Sequence, residues 1–217
     1  MSLEIADQTH IQIHYPQNFT FIDKVGGVID HFLKSDLNLK TNYRTHLNNE
    51  ICETLFESTK QDLSKIKFNT SFIWFEVRKN FNNDLKEKVV GGTKLLCSLL
   101  DIKKVNRIGF KKAYIYNFKD KAEYSNFYPS LFPKLEGVET GQFHVVISPK
   151  DKDFKCILSV SSVINPNNQE YKTIIEADCY KEGEICVKNI EDQIAQMNDF
   201  IISDHQLKSQ IKKQILS

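Results

Sequence analysis

Apolar and polar residues alternate with a period of two in several stretches of this chain and recur at three- and four-residue spacing in others. Residues 9–15 (THIQIHY) place Ile11, Ile13 and Tyr15 on one face and His10, Gln12 and His14 on the other, the pattern of a half-buried strand. Pro16 and Asn18 break it. Phe21, Ile22, Val25, Val28, Ile29, Phe32 and Leu33 then follow helical spacing and predict a helix with a broad buried face, opening at Thr20 with Asp23 three residues on. Phe72 to Lys79 alternates again, with Ile73, Phe75 and Val77 on one face and Phe72, Trp74, Glu76 and Arg78 on the other. A second helix is expected from about Asp84, with Leu85, Val89, Leu96, Leu99 and Leu100 as its stripe. Residues 41–68 carry both patterns. Leu47, Ile51, Cys52, Leu55 and Phe56 fit a helix, whereas the threonines and the alternation of Ile51, Glu53 and Leu55 favour strand, the reading taken here.

Val105 to Phe118 (VNRIGFKKAYIYNF) is the clearest strand. Ile108, Phe110, Tyr114, Tyr116 and Phe118 fall on one face; Arg107, Gly109, Lys111 and Ala113 fall on the other. A loop-rich segment spans 119–140. Three strands follow, at 142–148, 154–164 and 171–181, separated by turns rich in Pro, Asn and Asp. The end reads as a helical pair, one helix on Ile190, Ile194, Met197 and Ile201, the next opening at Ser203 with Gln206 and continuing through Leu207, Ile211 and Ile215. The fold class is therefore α+β: a mostly antiparallel sheet, helices packed on one side, and a C-terminal helical pair. The chain 1–217 forms one globular unit, or two fused strand-helix-strand subunits of about 1–68 and 69–217. A faint repeat bears on the second option: Lys24-Val25-Gly26-Gly27 and Val89-Val90-Gly91-Gly92 lie 65 residues apart. A glycine inside a helix costs about 1 kcal/mol relative to alanine, so paired glycines are easiest to explain if another backbone packs close.

Composition narrows the class. Of 217 residues 41% are hydrophobic and 26% charged, which suits a soluble globular chain. The net charge of +1 argues against a whole-protein polyanion binder. The opening MSLEIADQTH lacks a basic and an apolar region of the kind a secretory signal needs, and the apolar helical stretch 89–100 is short and interrupted by Lys94. Five scattered cysteines fit reduced thiols better than a disulfide framework. Cytoplasmic localisation is the expectation.

Charge is unevenly spread. From Lys103 to Lys121 seven basic residues face one acid, Asp120, a local net of +6. Arg107 and Lys111 flank Gly109, where exposed backbone between two cations suits a phosphate or carboxylate, with the arginine offering a planar fork. The competing reading pairs these cations with acids on a neighbouring strand, Glu76 among them. Glu176 and Asp178 share a strand face about 7 Å apart and are candidates for a divalent ion or for acid–base work. Lys172 on that face offers them a simple ion-pair partner. The Asp153-Phe154-Lys155 and Glu170-Tyr171-Lys172 spacings occur in metal-dependent nucleases and arise by chance in lysine-rich chains. His10 and His14 on a strand stand about 13 Å apart, too far to share an ion. No glycine-rich phosphate loop is present, and no cofactor is implied.

Arg107-Ile108-Gly109-Phe110-Lys111 resembles the Arg-Ile/Val-Gly-Leu-Arg segment of a sporadically distributed bacterial family of unknown function, in which it continues Tyr-Ile-Asn. Here Lys111 replaces the second arginine, and Tyr114-Ile115 and Asn117 come later. The strand 174–178 and the helical segments after Asn189 resemble that family as well. The likeness implies a bacterial cytosolic protein from a mobile or defence-associated locus and carries no activity with it. The leading expectation is a non-enzymatic interaction module acting on a protein partner or by self-association. The alternatives are anion or nucleic-acid binding through 103–121, and a metal-dependent hydrolase or nuclease through Glu176 and Asp178.

Overall fold

The computed structural model describes residues 4–35, 37, 43–47, 52–57, 62–78, 81–127, 142–150, 152–165, 170–201, 206–207 and 209. The elements run β1 (Glu4–His14), α1 (Thr20–Lys34), β2 (Tyr43–Leu47), β3 (Cys52–Glu57), β4 (Leu63–Asn69), β5 (Phe72–Arg78), α2 (Asn83–Leu99), β6 (Lys104–Phe118), α3 (Lys121–Phe127), β7 (Gln142–Ile147), β8 (Lys155–Asn165), β9 (Glu170–Cys186), a 3-10 turn (Val187–Asn189) and α4 (Ile190–Phe200). The stretch with mixed patterning resolves into three strands, β2 to β4. The second helix of the expected C-terminal pair lies mostly outside the described residues, so one helix, α4, is described at that end.

The nine described strands make one sheet in the order β2-β3-β4-β5-β1-β6-β9-β8-β7, every neighbouring pair antiparallel. The register aligns an apolar row across it: Phe56, Ile66, Phe75, Ile11, Phe110, Cys179 and Cys156 are successive cross-strand partners, each buried. The helices cover that face. Phe32 of α1 stacks on Phe56 and tilts onto Phe68 at 4.9 Å. Gly92 of α2 meets Phe75, where an added Cβ would come within 3.3 Å of the ring. Phe127 of α3 lies 4.9 Å from Tyr116, and α4 packs on β6 and β9. A single hydrophobic core joins all of these residues.

The order of elements repeats. A strand, a helix, an antiparallel meander that returns to the first strand, and a closing helix occur once as β1-α1-β2 to β5-α2 and again as β6-α3-β7 to β9-α4. The seam falls between Leu99 and Lys104, and residue 68 lies inside β4. The Gly-Gly repeat does not follow this seam, since it relates α1 to α2 rather than α1 to α3. Gly26, Gly27 and Gly91 have nothing within 4 Å of an added Cβ, so close packing inside the chain accounts only for Gly92.

The helix starts use asparagine. Asn82 Oδ1 accepts from Leu85 N at 3.0 Å, capping α2, and Asn18 Oδ1 accepts from Thr20 N at 3.0 Å ahead of α1. Thr20 is not the cap expected from its hydroxyl. Between β6 and β9 the register shifts near Arg107, where Gly183, at φ 109°, supplies the extra residue of a bulge.

Candidate functional site

Adjacent residues point to opposite faces of a strand. The residues beside the apolar row therefore form a second row on the face no described helix covers. Glu57, Lys65, Glu76, His10, Lys111 and Asp178 are successive cross-strand partners, a line of ionisable groups over six strands. Lys65 Nζ lies 3.4 Å from Glu76, and Arg78 Nε lies 3.6 Å from it. Glu76 also accepts from Ser64 Oγ at 2.7 Å. Burial works to raise the Glu76 pKa, but the Ser64 hydrogen bond and Lys65 outweigh it and hold this carboxyl below its ordinary range. Lys111 Nζ reaches Glu176 at 2.6 Å. His10 stacks on Trp74 with ring centres 5.5 Å apart, and its pKa is lowered, chiefly by burial.

At one end of this face Arg107 lies over the Tyr180 ring, 5.1 Å from its centroid. The neighbouring half-buried lysines Lys65, Lys67 and Lys111 each hold a carboxylate. Arg107 has no ion pair among the described residues. It lines a shallow cleft of ≈ 450 Å³ with His14, Gln17, Ser71, Asn106 and Glu182. The His14 Nε2 is buried there without a hydrogen-bond partner, and the His14 pKa is lowered by burial and then by the Arg107 charge. Asp178 has its pKa raised by burial, against the pull of Lys111 and Arg107.

Arg107, Gly109 and Lys111 share the face expected of them, but their surroundings divide them. Lys111 is neutralised by Glu176 rather than by Glu76. Gly109 is buried, and an added Cβ there would rest 3.7 Å from the Gln12 carbonyl oxygen, so the backbone between the cations is covered. Of the three, Arg107 lines the cleft beside His14 and Glu182. Glu176 and Asp178 do share one face, with Glu176 engaged by Lys111. Among the described residues no three His, Cys, Asp or Glu side chains converge to hold a metal ion. Asp153 is taken by Lys181.

Sequence reasoning missed His14, Asn106, Tyr180 and Glu182. His14 stands opposite Arg107 on β1 and Glu182 opposite it on β9. Alternation assigns His14 to the polar face, but Glu182 lies beyond the expected strand, and only the long-range register brings the two to Arg107. No protein-family model and no curated protein sequence matches this chain.

Proposed function

We propose that this protein is a non-enzymatic binding module whose polar sheet face receives an anionic group, a carboxylate or a phosphate, with Arg107 as its anchor. One observation carries the reading: a half-buried guanidinium, held against Tyr180 beside a cleft, without the carboxylate that each neighbouring half-buried lysine has. A planar guanidinium fork matches the two oxygens of either group, and the tyrosine ring holds it in place. His14, Gln17, Ser71 and Asn106 add polar atoms around the cleft. Glu182 at its rim selects against densely charged polyanions such as nucleic acid. Calorimetric titration with inorganic phosphate and with a short acidic peptide tests the reading. Binding of at least one probe is expected, weakened by salt and reduced tenfold or more, about 1.4 kcal/mol, by Arg107→Ala. Lys111→Ala is expected to matter less, because Glu176 already neutralises that charge. No heat with either probe, or unchanged binding in Arg107→Ala, would overturn it.

A second reading, self-association through α1, is favoured by a separate observation. Among the described residues the large exposed hydrophobics are Phe19, Ile22, Leu33 and Val146, and the first three stand on α1 or at its start. Phe19 and Leu33 lie seven residues to either side of Gly26, so a two-fold axis through Gly26 sets Phe19 against Leu33 of a second copy, as an isologous contact requires. The bare Gly26 and Gly27 let two helices approach closely. Sedimentation equilibrium should show a dimer that Leu33→Lys dissolves; a monomer at every concentration removes this reading.

A further inference from the structure

Cys156 on β8 and Cys179 on β9 are directly opposed in the antiparallel register. Both are fully buried, and their sulfurs lie 2.7 Å apart. Directly opposed antiparallel residues have Cα separations of about 4.5 or about 5.5 Å. Disulfides form at Cα separations of about 4.4–6.8 Å. Strand pairing alone thus satisfies the backbone requirement, and the two thiols already face one another. The remaining described cysteines are elsewhere: Cys52 at the start of β3, Cys97 on α2, and Cys186 at the far end of β9. Cys179 donates a hydrogen bond to Cys156, and that bond, with burial, pushes the Cys179 thiol up, so this sulfur stays protonated and shielded while the sheet is closed.

We propose that Cys156 and Cys179 form a cross-strand dithiol that closes to a disulfide, with a low-molecular-weight disulfide as the oxidant. One protein thiol gives its proton to solvent, and the thiolate attacks a sulfur of the external disulfide. A mixed disulfide forms, and one external thiolate leaves. The second protein thiol then loses its proton and attacks the protein sulfur of that mixed disulfide. The Cys156–Cys179 bond forms, and the second external thiolate leaves. Two electrons pass to the external disulfide, which departs as two thiols once both thiolates are protonated. The sulfurs lie on the helix-covered face, so access requires the packing over that face to loosen. Among the described strands β8 has one neighbour beyond it, β7, so the opening is a local event at one side of the sheet. The bond ties β8 to β9 and keeps that side of the sheet paired.

Trypsin cleavage after Lys155, Lys172 and Lys181 puts the two cysteines in separate peptides. The full-length protein is incubated with oxidised glutathione or with dithiothreitol, alkylated in denaturant and digested without reduction. The expected product after glutathione is a cross-linked peptide pair joining Cys156 and Cys179, lighter by the two lost hydrogens and absent after dithiothreitol. Cys97 is alkylated in both samples. Cross-linking should quicken in urea below the unfolding transition, and oxidation should raise the melting temperature of the wild type but not of Cys156→Ala. The proposal is overturned if both cysteines carry the alkyl tag, or separate glutathione adducts, even after oxidation in urea near the unfolding midpoint. A cross-link to a different cysteine overturns it equally.

Discussion

His10 and His14 stand among rings and cations, and that placement makes them sensors of acid. Burial lowers both pKa values from 6.5; Arg107 lowers His14 further, and Lys111 adds to the lowering at His10 while Glu76 opposes it. On acidification the unfolded chain therefore takes up protons before the folded chain does. The stability linked to these histidines is fully present above about pH 6.5 and is lost as pH falls below it toward the folded values. Asp178, raised by burial, acts with the opposite sign nearer the carboxylate range. Urea unfolding at a series of pH values from about 7.5 to about 5 should show the midpoint falling, with a shallower fall in the His10→Gln/His14→Gln double variant. An unchanged slope in that variant would assign the acid sensitivity elsewhere. At this scale the sequence is informative about faces and silent about partners. Alternation assigns Arg107, Lys111, His10 and His14 to the polar side correctly, but nothing local reveals that Lys111 is paired with Glu176 while Arg107 has no ion pair among the described residues.

Elements were readable where one period dominates and blurred where it breaks. β6 alternates strongly although Lys112 occupies a core-facing position, where it lies over the Tyr114 ring at 5.3 Å. β1 extends N-terminal of its apparent start, to Glu4, where the sequence Glu4-Ile5-Ala6-Asp7 lacks the clear alternation of residues 9–15. β9 continues past Lys181 through Glu182, Gly183 and Glu184, where the bulge and the charges hide the strand. α1 shows the converse error. Its apolar face is wider than the sheet beneath it can cover: Phe21, Val28 and Phe32 are buried, while Ile22 and Leu33 face out. α2 starts where a side chain sets it, at Asn82, upstream of the expected Asp84. Asn82→Ala removes the acceptor for Leu85 N and should cost about 1 kcal/mol, read as a lower urea midpoint without a change in m. A midpoint within error of the wild type would mean that water replaces the cap.

Across the whole molecule two parallel rows, one residue out of step, divide the labour of the sheet. Phe56, Phe75, Ile11, Phe110 and Cys179 hold the helices; their sequence neighbours Glu57, Glu76, His10, Lys111 and Asp178 make the charged line on the other side. The class of fold follows from alternation, but strand order does not, because it depends on pairings between residues far apart in sequence. β1 and β6 show this best: each begins one of the two repeated halves, and together they join those halves edge to edge through Glu4–His14 and Arg107–Asn117. A sheet and core continuous across that seam should unfold as one unit. The single tryptophan, Trp74 on β5, reports from the first half, while Leu158 on β8 is buried in the second. Leu158→Ala leaves a cavity and should cost about 2–5 kcal/mol. If the halves are coupled, Trp74 fluorescence and far-UV circular dichroism give coincident transitions in both proteins, and both move down together in the variant. If they are independent, the Trp74 transition stays put while part of the dichroism signal is lost early, and the repeated halves behave as two domains sharing a sheet.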